Sequence, residues 1–334
     1  MTAELLSPFR LEPAFVPRIW GPADLRPWYD FVATGEPIGE VWLTGDQCLV
    51  VGGPLEGKTL GEVFAGYSRQ MLGDAAPSYA QGASPLLMKV IFAKEKLSVQ
   101  VHPDDRMAQK YGEPRGKTEC WYALAAEPHA QVALGLRPGV TLETVEAEVM
   151  SGTLEQSLGI VPVKAGDMIF VDAGTVHAIW PGSVLLETQQ YSDTTYRLFD
   201  YGRPRPLHVA KALEAIRLET SAGKIPPLKL ADRTVLVNSE YFCVEKIVVD
   251  GKRSGASMRV ANEQHGLSYL FAAAGSGRVQ ALSPSTASGS IFDPVDLPTG
   301  EMVAVPATAP DWEIEDLGGL ELIRITPRWP KAVA

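Results

Sequence analysis

The sequence has no apolar run approaching the roughly 20 residues that a membrane-spanning helix requires. It has only three cysteines, Cys48, Cys120 and Cys243, far apart and without a CxxC spacing, which argues against a disulfide framework. Basic charge is short as well: 30 Lys and Arg face 40 Asp and Glu, for a formal net charge of −10. A chain of that sign has no field to displace counterions from nucleic acid or to hold an anionic lipid surface, so neither partner is expected. The opening stretch, Met1 to Pro17, carries Glu4 and Pro8 and lacks the apolar core of a secretion signal. The expected location is therefore cytoplasmic. Histidine is scarce too, five in 334 residues, so the place of each one carries information.

What is present is an ordinary folding composition, 46% hydrophobic and 21% charged, with 31 Gly and 26 Pro. So many turn formers favour a β-rich chain over a helical bundle. The length predicts two domains. Short apolar or alternating runs predict strands at Gly39–Leu43, Leu86–Phe92, Ser98–His102, Glu119–Ala125, Gln131–Leu134, Asp167–Asp172, Val184–Gln190 and Thr195–Phe199. Helices are expected at Leu60–Met71, Asp104–Tyr111 and His208–Leu218, and over Thr141–Leu158, where Leu142, Val145, Val149, Leu154 and Leu158 recur at helical spacing behind a Thr141 N-cap. Short strands resume from Val235 onward, after a polar, proline-containing stretch that ends at Asp232. The expected fold is mainly β: two jelly-roll sandwiches or barrels, residues 1–232 and 233–334, with a few helices between and flanking them.

A weak internal echo relates the halves. Gly166, Asp172, Gly174 and His177 are spaced like Gly300, Pro306 and Asp311, and the run from Trp121 resembles the run from Tyr269. The second half offers only His265, so it reads as a copy that has lost its polar site.

Alternation along Leu97-Ser98-Val99-Gln100-Val101-His102 puts Ser98, Gln100 and His102 on one face and leaves an apolar face for a core. Lys117 and Glu119 share a face by the same spacing, and His177 follows the Gly174-Thr175 turn. Each has a plainer reading alone: a histidine capping a strand, a surface ion pair, a turn histidine. Together Gln100, His102, Glu119 and His177 supply two imidazoles, a carboxylate and an amide oxygen, plausibly from three neighbouring strands of one barrel. That donor set suits a divalent metal such as zinc. Arg197, in an apolar strand, calls for an anion: a substrate, or a structural partner in Asp193 or Asp200.

The strings LSVQVHPDD (Leu97–Asp105), GKTECWY (Gly116–Tyr122), GTVHAI (Gly174–Ile179) and QQYSDTTYRLFDY (Gln189–Tyr201), with Arg18-Ile19-Trp20-Gly21 and Gly39-Glu40-Val41-Trp42, resemble the short bacterial form of the type I mannose-6-phosphate isomerases, in the cupin superfamily. The resemblance covers most of the chain and thins after Asp232. It implies an aldose–ketose isomerase interconverting mannose 6-phosphate and fructose 6-phosphate through a cis-enediol. It also implies one Zn2+ per chain on Gln100, His102, Glu119 and His177, with Mn2+, Fe2+ or Co2+ left open. Lys117 and Arg197 would be catalytic, and Trp20 and Glu40 would lie near the site. Arg203, Arg205 and Ser98 are candidates for the phosphate. Asp172 stands where the family's second cupin motif commonly has Pro. The expected partner is a small sugar phosphate, and the expected assembly a monomer or weak homo-oligomer. The rival readings are a non-catalytic sugar-phosphate sensor, an isomerase of unphosphorylated aldoses and an iron cupin oxygenase.

Overall fold

The strand Leu86–Ala93 is buried along its whole length, and its alternation shows how the layers are built. Leu86, Met88, Val90 and Phe92 join one core, whereas Ile91 and Ala93 join another. The strand can be apolar on both faces because its sheet lies between two others. The computed structural model describes residues 5–330 except 34, 75, 78–79, 250–256, 261–265 and 283–291. His265 falls outside the described residues.

Leu86–Ala93 belongs to a seven-stranded sheet ordered Gly223–Lys224, Met168–Val171, Glu119–Ala126, Ser183–Gln190, Leu86–Ala93, Ile38–Trp42, Ala14–Pro17. One face packs on a five-stranded sheet, ordered Tyr196–Phe199, Val99–Val101, His177–Ile179, Gln131–Leu136, Leu158–Pro162. Ile91, Trp121, Ala123, Val132, Ile169 and Leu185 fill the space between them. The other face meets an eight-stranded sheet through Met88, Val90, Tyr122, Tyr269, Phe271, Ile323 and Ile325. That sheet closes on a four-stranded one around Leu270, Val303, Trp312, Ile314 and Leu322. The result is two antiparallel jelly-roll barrels sharing an apolar wall. The helices Leu142–Ser151 and Val209–Ala215 cover the outside of the five-stranded sheet, where Val99, Val101, Ala178 and Leu198 meet Val145, Val149 and Ala212.

The chain passes from the seven- to the eight-stranded sheet between Lys224 and Leu228. Two early strands cross over as well: Phe9–Leu11 pairs with Met302–Ala304 and carries Val50–Val51 on its other side. The apolar run Cys48–Val51 reads as a strand, but which sheet it joins does not follow from periodicity.

The helix expected over Thr141–Leu158 is shorter than its apolar spacing suggested. Thr141 does cap it, its side chain accepting from the Thr144 N–H. Gly152, at φ 73°, closes it by donating to the Glu148 and Val149 carbonyls. Leu154–Ser157 is then one 3-10 turn, and Leu158 opens a strand. Leu154 and Leu158 keep the spacing because they fill the same core as Val145 and Val149. Leu97 also departs from expectation: it joins the core inside the barrel, whereas Val99 and Val101 face the helices.

Strand register refines the internal echo. Met168 pairs with Tyr122 as Met302 pairs with Phe271, so Trp121 corresponds to Leu270 and Glu119 to Ser268. The match of Trp121 to Tyr269 is off by one residue, which exchanges the two faces of a strand.

Candidate active site

Register places the polar residues in rows. Gln100 sits opposite His177 on one side and Arg197 on the other, so three adjacent strands of the five-stranded sheet present Arg197, Gln100 and His177 together. Glu119 comes from the facing seven-stranded sheet, at the start of a strand paired with both Met168–Val171 and Ser183–Gln190. The barrel, not one sheet, assembles the set.

Local bonds aim both imidazoles. His102 Nδ1 donates to the Thr194 carbonyl at 2.9 Å, and His177 Nδ1 to the Thr175 carbonyl at 2.9 Å. Each ring therefore keeps its proton on Nδ1 and offers the Nε2 lone pair inward. The Thr175 turn is tied by its hydroxyl donating to Asp172 Oδ1 at 2.8 Å, while Asp172 Oδ2 accepts the Ser221 N–H at 2.9 Å. The aspartate in the place of the common proline thus anchors the turn. Gly174, at φ 90°, lets its N–H reach the His102 carbonyl at 2.9 Å.

His102 Nε2 and His177 Nε2 each lie 3.5 Å from one oxygen of Glu119, and all three side chains are buried. Burial, helped by Lys117, holds the His102 pKa well below its usual value, and burial brings His177 down to about 4. Both imidazoles are neutral at physiological pH. Lys117 Nζ stands 2.8 Å from Glu119 Oε2 and 3.0 Å from His102 Nε2. Despite that ion pair, neither Glu119 oxygen receives a well-formed hydrogen bond. A buried carboxylate whose one close cationic neighbour is Lys117, set between two imidazole lone pairs, is a donor set that fits a divalent cation. Gln100 is adjacent, its Nε2 3.3 Å from His177 Nε2 and its Oε1 accepting from Ser98 Oγ at 3.3 Å. A half-turn of the amide brings its oxygen to the imidazole side.

A cavity of about 500 Å³ opens onto this cluster, lined by Ser98, Gln100, Lys117, Glu119, Trp20, Glu40, Arg197 and Arg205 among others. The two histidines stand behind its wall. Arg203 is not brought to the cavity: its guanidinium donates to the Lys96 carbonyl at 2.7 Å and pairs with Glu95 and Asp200. Arg205 reaches the wall with its guanidinium held on both oxygens of Asp200, each at 2.6 Å, and lies 5.2 Å from the Trp20 ring centre. Asp200 is thereby taken, and among the described residues no carboxylate lies within 4.0 Å of Arg197. Arg197 instead donates to Ser98 Oγ at 3.3 Å and the Pro206 carbonyl at 3.0 Å. Burial and the neighbouring Arg205 lower its pKa, so this wall holds one cation without a carboxylate partner, Arg197, beside a second, Arg205, that Asp200 already holds.

Lys117 itself is pushed above its usual pKa: burial opposes its charge, and Glu119 and Glu187 override that. A cation bound beside it would act in the opposite direction, toward the neutral amine.

Sequence reasoning missed Lys89, Glu187 and Arg18. Lys89, buried at 2% exposure, lies 3.6 Å from Glu187, 3.5 Å from Asp193 and 3.8 Å from Glu40. Glu187 accepts from Trp121 Nε1 at 3.2 Å, and burial raises its pKa. Arg18 pairs with Glu40 at 2.9 Å. The available signal was a single charge inside an apolar strand, as in LLMKVIFA.

A jelly-roll barrel with a buried His–Glu–His cluster beside a cavity lined by charges of both signs is the arrangement of a cupin enzyme for a small polar ligand. Residues 9–135 match the family described as phosphomannose isomerase type I, catalytic domain. The chain is 32% identical over 334 residues to mannose-6-phosphate isomerase of Streptococcus mutans, covering 96% of this chain and 98% of that one. It is 35% identical over 269 residues to mannose-6-phosphate isomerase ManA of Bacillus subtilis, covering 76% and 82%. The crystal structure of a Bacillus subtilis mannose 6-phosphate isomerase superposes with a TM-score of 0.82 at 31% identity, covering 96% and 99%. A phosphomannose isomerase variant from Salmonella typhimurium, at 16% identity and a TM-score of 0.76, shares the fold. The chain belongs to the type I mannose-6-phosphate isomerase family.

Proposed function

We propose that the chain interconverts mannose 6-phosphate and fructose 6-phosphate, with one zinc ion on Gln100, His102, Glu119 and His177. The observation that carries this is Glu119, buried and short of donors between two imidazole lone pairs, in a cavity that also holds Lys117 and Arg197. When bound, a divalent ion would supply a Lewis acid for the C1 or C2 oxygen. Arg197 and Arg205 attract the phosphate, with Ser98 as a hydroxyl donor and Asp200 fixing the Arg205 fork. Trp20 backs Arg205, and Glu40 with Arg18 closes the rim.

Lys117, in the neutral form that a cation's charge beside it would favour, is the group we assign to take the C2 proton of the aldose as the cis-enediol forms. It returns that proton at C1 of the ketose on the same face, while the hydroxyl proton passes from the C2 oxygen to the C1 oxygen. Arg197 cannot surrender a proton and instead stabilises the charge that develops on oxygen. A coupled assay with mannose 6-phosphate, with and without chelator, tests the reading. Turnover lost on chelation and restored by zinc supports it, and binding without turnover would leave a sensor. In deuterated water, solvent label at C1 supports the enediol, and complete retention of the C2 hydrogen would defeat it.

We further propose a monomer or weak homo-oligomer working in the cytoplasm, with a catalytic unit over residues 1–232 and a degenerate one over 233–334. Among the described residues no helix is long and apolar enough to cross a membrane.

A further inference from the structure

Lys117 reaches the cavity from an irregular stretch just ahead of the strand Glu119–Ala126. What fixes its backbone therefore lies outside its own element. Asp105 Oδ1 accepts the Gly116 N–H at 2.8 Å and Gln190 Nε2 at 2.9 Å. Gln190 Oε1 accepts the Thr118 N–H at 2.9 Å, and the Gln190 N–H donates to the Thr118 carbonyl at 3.1 Å. The Lys117 N–H donates to the Pro103 carbonyl at 3.0 Å. Lys117 and both its neighbours are thus tied to the start of the helix Asp105–Lys110 and to Gln190. The approach is close: a Cβ on Gly116 would lie 2.5 Å from the Asp104 carbonyl carbon and 2.6 Å from the Asp105 nitrogen.

The remaining oxygen, Asp105 Oδ2, accepts the Tyr241 hydroxyl at 3.2 Å. Tyr241 sits between the strands Thr234–Asn238 and Phe242–Val248 of the eight-stranded sheet. Burial and the charge of Asp105 raise its phenol pKa, so it stays a donor.

We propose that Asp105, with Gln190, is a positioning residue that sets Lys117 in the cavity, and that Tyr241 gives the C-terminal half a hold on the same carboxylate. This rests on the assignment of Lys117 to proton transfer. A carboxylate gripping the chain beside a reacting amine acts through geometry, and a shift of about 1 Å in such a group costs up to roughly 100-fold in rate.

The test compares Asp105→Ala, Asp105→Asn, Gln190→Leu, Tyr241→Phe and Lys117→Ala in the full chain at matched metal content. Asp105→Ala is expected to lower kcat roughly 10- to 100-fold with KM near wild type. Asp105→Asn keeps an oxygen for Gly116 and Gln190 and presents its amide to the tyrosine oxygen, so it should restore most of the turnover. Tyr241→Phe should lose less than Asp105→Ala, and unchanged kcat there would remove the C-terminal hold. Should Asp105→Ala not fold, Gln190→Leu answers the same question. A role in folding alone would lower Tm yet leave kcat of the folded, metal-loaded protein intact, and that result overturns the proposal. If Lys117→Ala loses turnover while Asp105→Ala and Gln190→Leu keep it, only the positioning role fails. If Lys117→Ala keeps turnover, the assignment of Lys117 fails and this proposal with it.

Discussion

Glu119 combines complete burial with two oxygens that receive no well-formed hydrogen bond, and Lys117 at 2.8 Å offsets only part of its charge. On the proposed metal assignment, His102→Ala should lose tight metal binding, read by elemental analysis after dialysis. Lys117→Ala and Arg197→Ala should keep the metal and lose roughly 10²- to 10⁴-fold in kcat. Metal loss in either at native fold would refute the division of roles. Glu40 gives a pH signature. Burial alone would raise its pKa, but Lys89 and Arg18 override that and hold the carboxyl below 4.5. A carboxyl whose folded pKa is depressed adds stability above its unfolded pKa and loses it as pH falls through the folded value. Glu40→Gln should therefore flatten the fall of Tm with pH below 4.5. An unchanged acid slope would count against the pairing.

Among the elements, those whose two faces differ or are both buried were legible, and the C-terminal end of the helix behind Thr141 was not. Leu86–Ala93 and Glu119–Ala126 were read nearly to their ends, because eight-residue strands carry enough alternation or apolar length. The helix behind Thr141 was overextended, because periodicity does not register a left-handed glycine. A Cβ built on Gly152, at φ 73°, would meet nothing nearer than Phe199 at 3.9 Å, so the cost of substitution there is conformational. Gly152→Ala should destabilise by about 1–2 kcal/mol, and Gly152→Asn by less, measured by urea denaturation. Equal stability of all three would mean the helix end is not set there.

For the whole molecule, the wall between the barrels is apolar, with Met88, Val90, Tyr122, Tyr269, Phe271 and Ile325 in one core. Phe9–Leu11 is threaded through the far sheet. Surfaces of this kind unfold together, so calorimetry should give one transition for the full chain. A fragment of residues 1–232 would bare Met88, Val90 and Tyr122, and should aggregate or bind a hydrophobic dye. Two separated transitions, or a soluble dye-silent fragment, would show that the barrels are independent.

The sequence by itself determined the β-rich architecture, the turn and cap residues and the candidate ligands. Those follow from period-two alternation, glycine placement and long specific strings, all of which are local. Tertiary structure decided what depends on neighbours distant in the chain. It set Glu119 on the sheet opposite the histidines, and it turned Arg203 onto Glu95 and Asp200 while Arg205 reached the cavity. It set Lys89 against Glu187 and Glu187 near Lys117, and it joined Tyr241 to Asp105 across 136 residues. Alternation tells which face of a strand a side chain occupies, but only the closing of the barrel determines what that face meets.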